Sequence, residues 1–119
     1  MNIRRLLLSL VLFSCLLHEA RAQNFSIAPG SISNTASDAR SVNFVDINND
    51  GWEDIYISNG LKGGQKDMLY LNDGTGQFTE VTNMEIVEAV NPSDGASFAD
   101  YDNDGHVDAI VSSWYGAED

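Results

Sequence analysis

Hydrophobic and polar positions divide the chain into two regimes. Close to its start a predominantly apolar run, residues 6–17, follows Arg4 and Arg5. Further on, apolar residues come in short bursts with a period of two. "SVNFV" (41–45), "DIYIS" (54–58), "DMLYL" (67–71) and "QFTEV" (77–81) are rich in β-branched and aromatic residues and predict strands. Turn residues separate them: "NGLKGGQK" (59–66) carries three glycines, and "NDGTG" (72–76) predicts a tight hairpin turn. The stretch "MEIVEAVNPSDGA" (84–96) has no clear period and reads as irregular, and "DAIVS" (108–112) predicts another strand.

Two segments of this pattern repeat. "FVDINNDGWEDIYIS" (44–58) and "FADYDNDGHVDAIVS" (98–112) align without a gap at an offset of 54 residues. Phe44/Phe98, Asp46/Asp100, Asn49/Asn103, Asp50/Asp104, Gly51/Gly105, Asp54/Asp108 and Ser58/Ser112 are identical. Four short strands per unit at this period predict an all-β chain built as an incomplete β-propeller. It has one four-stranded blade and part of a second, reaching that blade's second strand.

Each repeat opens on a dense cluster of acids. Two carboxylates about 4 Å apart at a surface repel by roughly 4 kcal/mol at an effective dielectric near 20, so such a cluster calls for a cation. Oxygen ligands at positions 1, 3, 5, 7 (through the main-chain carbonyl) and 9, with glycine at 6, wrap a hard divalent ion. In the first loop these are Asp46, Asn48, Asp50, the Trp52 carbonyl and Asp54, with Gly51 at the bend. In the second they are Asp100, Asp102, Asp104, the His106 carbonyl and Asp108, with Gly105 at the bend. An all-oxygen donor set points to Ca²⁺. An EF-hand is excluded, because its bidentate Glu at position 12 is replaced by Ile57 or Val111 within β-type runs; a dockerin-like reading fails on the same ground.

Charge and cysteine content sharpen this picture. The start "MNIRRLLLSLVLFSCLLHEARAQ" has the basic, apolar and Ala-x-Ala regions of a secretory signal peptide cleaved after Ala22. Its apolar run is short for a stable membrane span. A lipoprotein signal at Cys15 is the alternative, disfavoured by the bulky Phe13 and by Leu16 and Leu17 beyond the cysteine. Removing residues 1–22 leaves 3 basic and 17 acidic residues, a net charge of −14, and no cysteine. That balance argues against nucleic acid and anionic membranes as partners and favours cations. A small exported domain without disulfides needs a metal or a partner to supplement its core.

The D-x-[DN]-x-D-G-x-x-D pattern, the apolar strand after it and "LYLNDGTGQFTEVT" (69–82) together resemble the FG-GAP/VCBS repeats of integrin-type β-propellers. "GASFADYDNDGHVD" (95–108) is similar to the branch that accompanies ASPIC/UnbV domains. The resemblance spans nearly all of residues 37–115. It implies calcium held on loops of the blade hairpins, with Asp54 and Asp108 as late ligands. Asn48 stands where Asp is commoner, which leaves the first site one charge poorer.

Other chemistry is thinly represented. His106, the sole histidine after the leader, lacks the convergent partners of a zinc site or triad. Glu53 and Asp54, adjacent in a strand, point to opposite faces and make no glycosidase pair. Trp52, Tyr56, Tyr70, Trp114 and Tyr115 are read as packing between blades or at loop edges, with a sugar-binding surface as the alternative. Asn24-Phe25-Ser26 fits a glycosylation acceptor. The chain is thus read as a leader (1–22), a linker (23–36), a first blade (37–83), and a connection with a partial second blade (84–119). The expected function is a secreted, periplasmic or cell-surface calcium-binding module, non-enzymatic, for adhesion or scaffolding. Its partner would be a protein or glycan, and it would need further blades or self-association. The alternatives are the N-terminal part of a secreted propeller lyase or hydrolase, or a lectin.

Overall fold

The computed structural model describes Ile32 and residues 35–114; the expected leader and most of the linker lie outside the described residues. Among residues 35–114 eight strands and one short helix follow one another: β1 Ala39–Val45, β2 Asp54–Asn59, β3 Gln65–Lys66, β4 Met68–Asn72, β5 Phe78–Val81, α1 Glu85–Glu88, β6 Val90–Asn91, β7 Ser93–Ala99 and β8 Asp108–Ser113. The chain is all-β with antiparallel pairing throughout. A four-stranded sheet runs in the order β1-β2-β4-β5, a β3-β6 ladder stands beside it, and β7-β8 forms a separate hairpin. This is the architecture of a propeller-blade fragment: one full unit and the first hairpin of the next.

The stretch 84–96 departs from the sequence expectation. Instead of being irregular it holds α1, β6 and the start of β7. The partners of β6 lie in the segment read as a turn: Gln65 pairs with Asn91 and Lys66 with Val90. Two-residue strands joined across that separation leave no local period in the sequence. Helix α1 is a single turn whose role is to bury Val87.

The two hairpins share one register. Val42 faces Ile57, Phe44 faces Ile55 and Val45 faces Asp54 in the first; Ala96 faces Val111, Phe98 faces Ala109 and Ala99 faces Asp108 in the second. Every one of these pairs is its counterpart moved by 54 residues, and the irregularity between Ala39 and Ser41 recurs between Ser93 and Gly95. Even the closing bonds match: Gly60 N donates to Asp38 O at 2.9 Å and Trp114 N to Pro92 O at 3.4 Å.

Opposed residues in an antiparallel pair share a face, so the first sheet has two distinct apolar surfaces. On one, Tyr56 and Leu69 are buried with Val87 against Ala96, Phe98 and Val111 of the second hairpin. The Tyr56 and Phe98 rings meet edge-to-face with centroids 5.3 Å apart, a geometry favoured by the ring quadrupoles. On the other face Ile57, Met68 and Tyr70 cluster with Ile32, Ile55 and Phe78. Tyr56 also anchors a buried polar link: its hydroxyl donates to Asp67 Oδ2 at 2.6 Å, and Asp67 Oδ1 accepts from Asn59 N at 2.7 Å. Burial, and then the Asp67 carboxylate itself, push the phenol well above its ordinary range.

Candidate functional site

Both acidic loops connect a hairpin's strands, β1 to β2 and β7 to β8, so each begins and ends on a fixed ladder. Their main-chain N–H groups bond to the same side chains in both loops. In the first, Asp46 Oδ1 accepts from Asp50 N at 2.9 Å and Oδ2 from Gly51 N at 2.8 Å, while Asp50 Oδ1 accepts from Trp52 N at 2.9 Å. In the second, Asp100 Oδ1 accepts from Asp104 N and Oδ2 from Gly105 N, both at 3.0 Å, while Asp104 Oδ1 accepts from His106 N at 2.8 Å. Asp54 Oδ2 accepts from Ile47 N at 3.1 Å, as Asp108 Oδ2 does from Tyr101 N at 2.9 Å. The carboxylates therefore curl the main chain inward, and the glycines answer the conformational demand, with φ of 91° at Gly51 and 90° at Gly105.

Asn49 and Asn103 carry a role the sequence reading passed over. They also lie in the left-handed region, with φ of 58° and 63°, which Asn tolerates better than most residues. Their identity in both repeats was the available signal. Asn49 Nδ2 also reaches Gly105 O at 3.5 Å, so the two loops lie side by side.

The loops differ in how their acids are balanced. In the second, carboxylate oxygens of Asp100, Asp102 and Asp108 all lie within 4.8 Å of one another, the one such acidic group of three among the described residues. Asp104 stands outside that trio. In the first, Asn48 replaces the acid at position 3, and its amide donates to Asp50 Oδ2 at 2.8 Å; its Oδ1 accepts from Asp50 N at 3.1 Å just as Asp102 Oδ1 does from Asp104 N. Asp54 is also fully buried, and its Oδ1 accepts from Asn72 N at 2.8 Å, which ties the loop to the β4–β5 hairpin.

The residues at position 7 face outward. His106 is exposed. Trp52 is half-exposed and sits against Gly74 in the β4–β5 turn, where a Cβ would collide with the indole. That turn is set by Asp73, whose Oδ1 accepts from Thr75 N at 2.8 Å and Thr75 Oγ1 at 2.7 Å; these bonds hold its carboxyl below the usual range. Of the other aromatics, Tyr56 and Tyr70 are buried on opposite sheet faces, whereas Trp114 receives the Arg40 guanidinium 5.5 Å from its ring centroid. Tyr115 lies outside the described residues. Glu53 is exposed while Asp54 is buried, in keeping with their opposite directions.

Searches of curated proteins and of solved structures each returned no significant match. A family model did match: that of the FG-GAP-like repeat, over residues 58–111. The matched stretch runs from the end of β2 through β4, β5 and α1 into β8, and it contains the second acidic loop. The first loop precedes it and is joined to it by the 54-residue internal repeat. The chain therefore carries an FG-GAP-like repeat across residues 58–111.

Proposed function

We propose that the chain works as an exported, calcium-binding module of a β-propeller, serving adhesion or scaffolding, and that its metal is structural. The observation that carries this reading is the convergence of Asp100, Asp102 and Asp108 in a loop whose main-chain bonding is duplicated at Asp46–Asp54. The donor set fits a hard cation, because every candidate ligand is a carboxylate, amide or carbonyl oxygen. Asp100, Asp102, Asp104, the His106 carbonyl and Asp108 would hold one ion. Asp46, Asn48, Asp50, the Trp52 carbonyl and Asp54 would hold the other. A bound Ca²⁺ supplies charge neutralisation and a rigid link between paired strands. The chain's own part is to present the oxygens from a preformed turn, and the identical main-chain bonds in both loops support that.

Calorimetric calcium titration of metal-stripped chain tests the proposal. Two classes of site are expected, the tighter one being the four-carboxylate second loop. Asp102→Asn, which copies the Asn48 arrangement, should weaken that site by about tenfold or more, equivalent to about 1.4 kcal/mol. Asn48→Asp should strengthen the first site, and Asp104→Ala should remove the second while leaving the first. Absence of heat at millimolar calcium, or equal titrations for wild type and Asp104→Ala, would make these loops ordinary acidic turns. Export rests on the leader: intact mass of the exported protein should begin at Gln23, and a diacylated Cys15 would replace that reading with a lipid-anchored one.

A further inference from the structure

One hydrogen bond crosses from one acidic loop to the other. Asn49 Nδ2, in the first, donates to Gly105 O, in the second, at 3.5 Å. Its length makes it a weak bond, but its place gives it leverage. Gly105 O belongs to the peptide that joins Gly105 to His106, and the N–H of that same peptide donates to Asp104 Oδ1 at 2.8 Å. Peptide planarity ties these two ends together. The plane is therefore held at its oxygen by the first loop and at its nitrogen by the second. Just before it, Gly105 N donates to Asp100 Oδ2 at 3.0 Å; just after it comes the His106 carbonyl. Asp100, Asp104 and that carbonyl are all candidate ligands of the second site.

The residue at position 49 suits this bridge on two counts. Its φ of 58° lies in a region that Gly, Asn and Asp enter at least cost. Of those three, Asn alone carries a side-chain N–H; an ionised Asp would meet Gly105 O with acceptors only. The second count is charge. The loops together hold Asp46, Asp50, Asp54, Asp100, Asp102, Asp104 and Asp108. A Lys there would also donate, but its ammonium would compete with a bound cation for those carboxylates. A neutral amide joins the loops without that competition.

We infer that Asn49 is a positioning residue for the second cation site. It is a ligand in neither loop. From the first loop it steadies the Gly105–His106 peptide, around which oxygens of the second loop gather. The affinity of the second site thus depends on a side chain of the first repeat unit, and the two loops work as a pair. This inference rests on the calcium reading of the loops.

The test is a calcium titration of the full 119-residue chain, started from metal-stripped protein and followed by amide NMR. Gly51 N–H reports the first loop and Gly105 N–H the second. Both resonances should move to saturation in wild type. Asn49→Gly keeps the left-handed backbone and removes the bridging amide. Half-saturation at Gly105 should then need about threefold more calcium, the scale of one weak hydrogen bond. Asn49→Ala removes the same amide and adds strain at a φ of 58°. That strain falls on the first loop, so Ala should disturb Gly51 more than Gly does, while moving Gly105 by a similar factor. If calcium saturates both loops but Gly105 titrates as in wild type in both variants, the inference is overturned and the calcium reading stands. The same holds if Asn49→Gly shifts Gly51 and Gly105 by one common factor, since that is general loosening. A wild type in which neither glycine responds to calcium overturns that reading and this inference with it.

Discussion

Replacing Asp54 by alanine should destabilise the chain even with no metal in solution. Asp54 is fully buried, and its two oxygens accept separately from Ile47 N and Asn72 N at 3.1 and 2.8 Å. Alanine removes both acceptors. A buried donor left without a partner costs about 1–3 kcal/mol. Both donors here sit on half-buried residues that water reaches in part, so the lower half of that range applies, about 2–4 kcal/mol for the two. Against a domain stability of about 5–15 kcal/mol this is a large loss. Asp54→Asn keeps one acceptor and should lose about half as much. Asp108 is the internal control: it sits at the repeat-equivalent position, but it is partly exposed, and among the described residues it accepts from Tyr101 N alone. Its alanine variant should cost only about 1 kcal/mol. The assay is urea denaturation in chelator at one fixed chain concentration. With a slope of about 2 kcal/mol per molar urea, the Asp54→Ala midpoint should fall by about 1–2 M. An unchanged midpoint in chelator, with only the calcium response lost, would refute the reasoning and make Asp54 a ligand with no staple role.

Tyr56→Phe removes the 2.6 Å bond to the Asp67 carboxylate and should cost about 1.5–3 kcal/mol, read by the same denaturation. Because the Tyr56 phenol is raised in the folded chain, its contribution is complete below the unfolded value near 10. It declines as pH rises beyond that, so wild type should lose more stability above about pH 10 than Tyr56→Phe does. Asp73 has the opposite sign: its folded carboxyl is depressed by the Thr75 hydroxyl and amide. The turn's stabilisation is therefore present above the unfolded value near 3.9 and fades as pH falls through the folded one. Carboxyl NMR should place the Asp73 midpoint below that of a model peptide, and Thr75→Ala should move it back. Gly74→Ala places a Cβ against the Trp52 indole at a φ of 75°. It should cost about 1–2 kcal/mol from backbone strain alone and alter Trp52 fluorescence; an unshifted spectrum would mean the ring does not rest there.

The sequence by itself determined the acidic loops, their 54-residue spacing and the strands beside them. Each of these is a local property: alternation of apolar residues along a strand, or a series of acids and one glycine compelling a turn. It also determined that Gly51 and Gly105 mark the bends, because a left-handed φ excludes most other residues. Only the tertiary structure decided what depends on distant partners. The strands β3 and β6 exist because Gln65–Lys66 meets Val90–Asn91, and neither dipeptide carries a period of its own. Asp54 and Asp108 look alike in sequence, yet Asp54 also accepts from Asn72 N of the β4–β5 hairpin and is fully buried. Asp67, unremarked among eighteen acids, becomes the partner of Tyr56 because packing the two units removes that hydroxyl from water and leaves the carboxylate as its acceptor. Phe44 and Phe98 are the same residue in the same motif, but one packs on Tyr56 and the other faces solvent. Repetition in a sequence assigns equivalent residues to equivalent strands; which of them is buried depends on the neighbouring unit, and that is a property of the assembled fold.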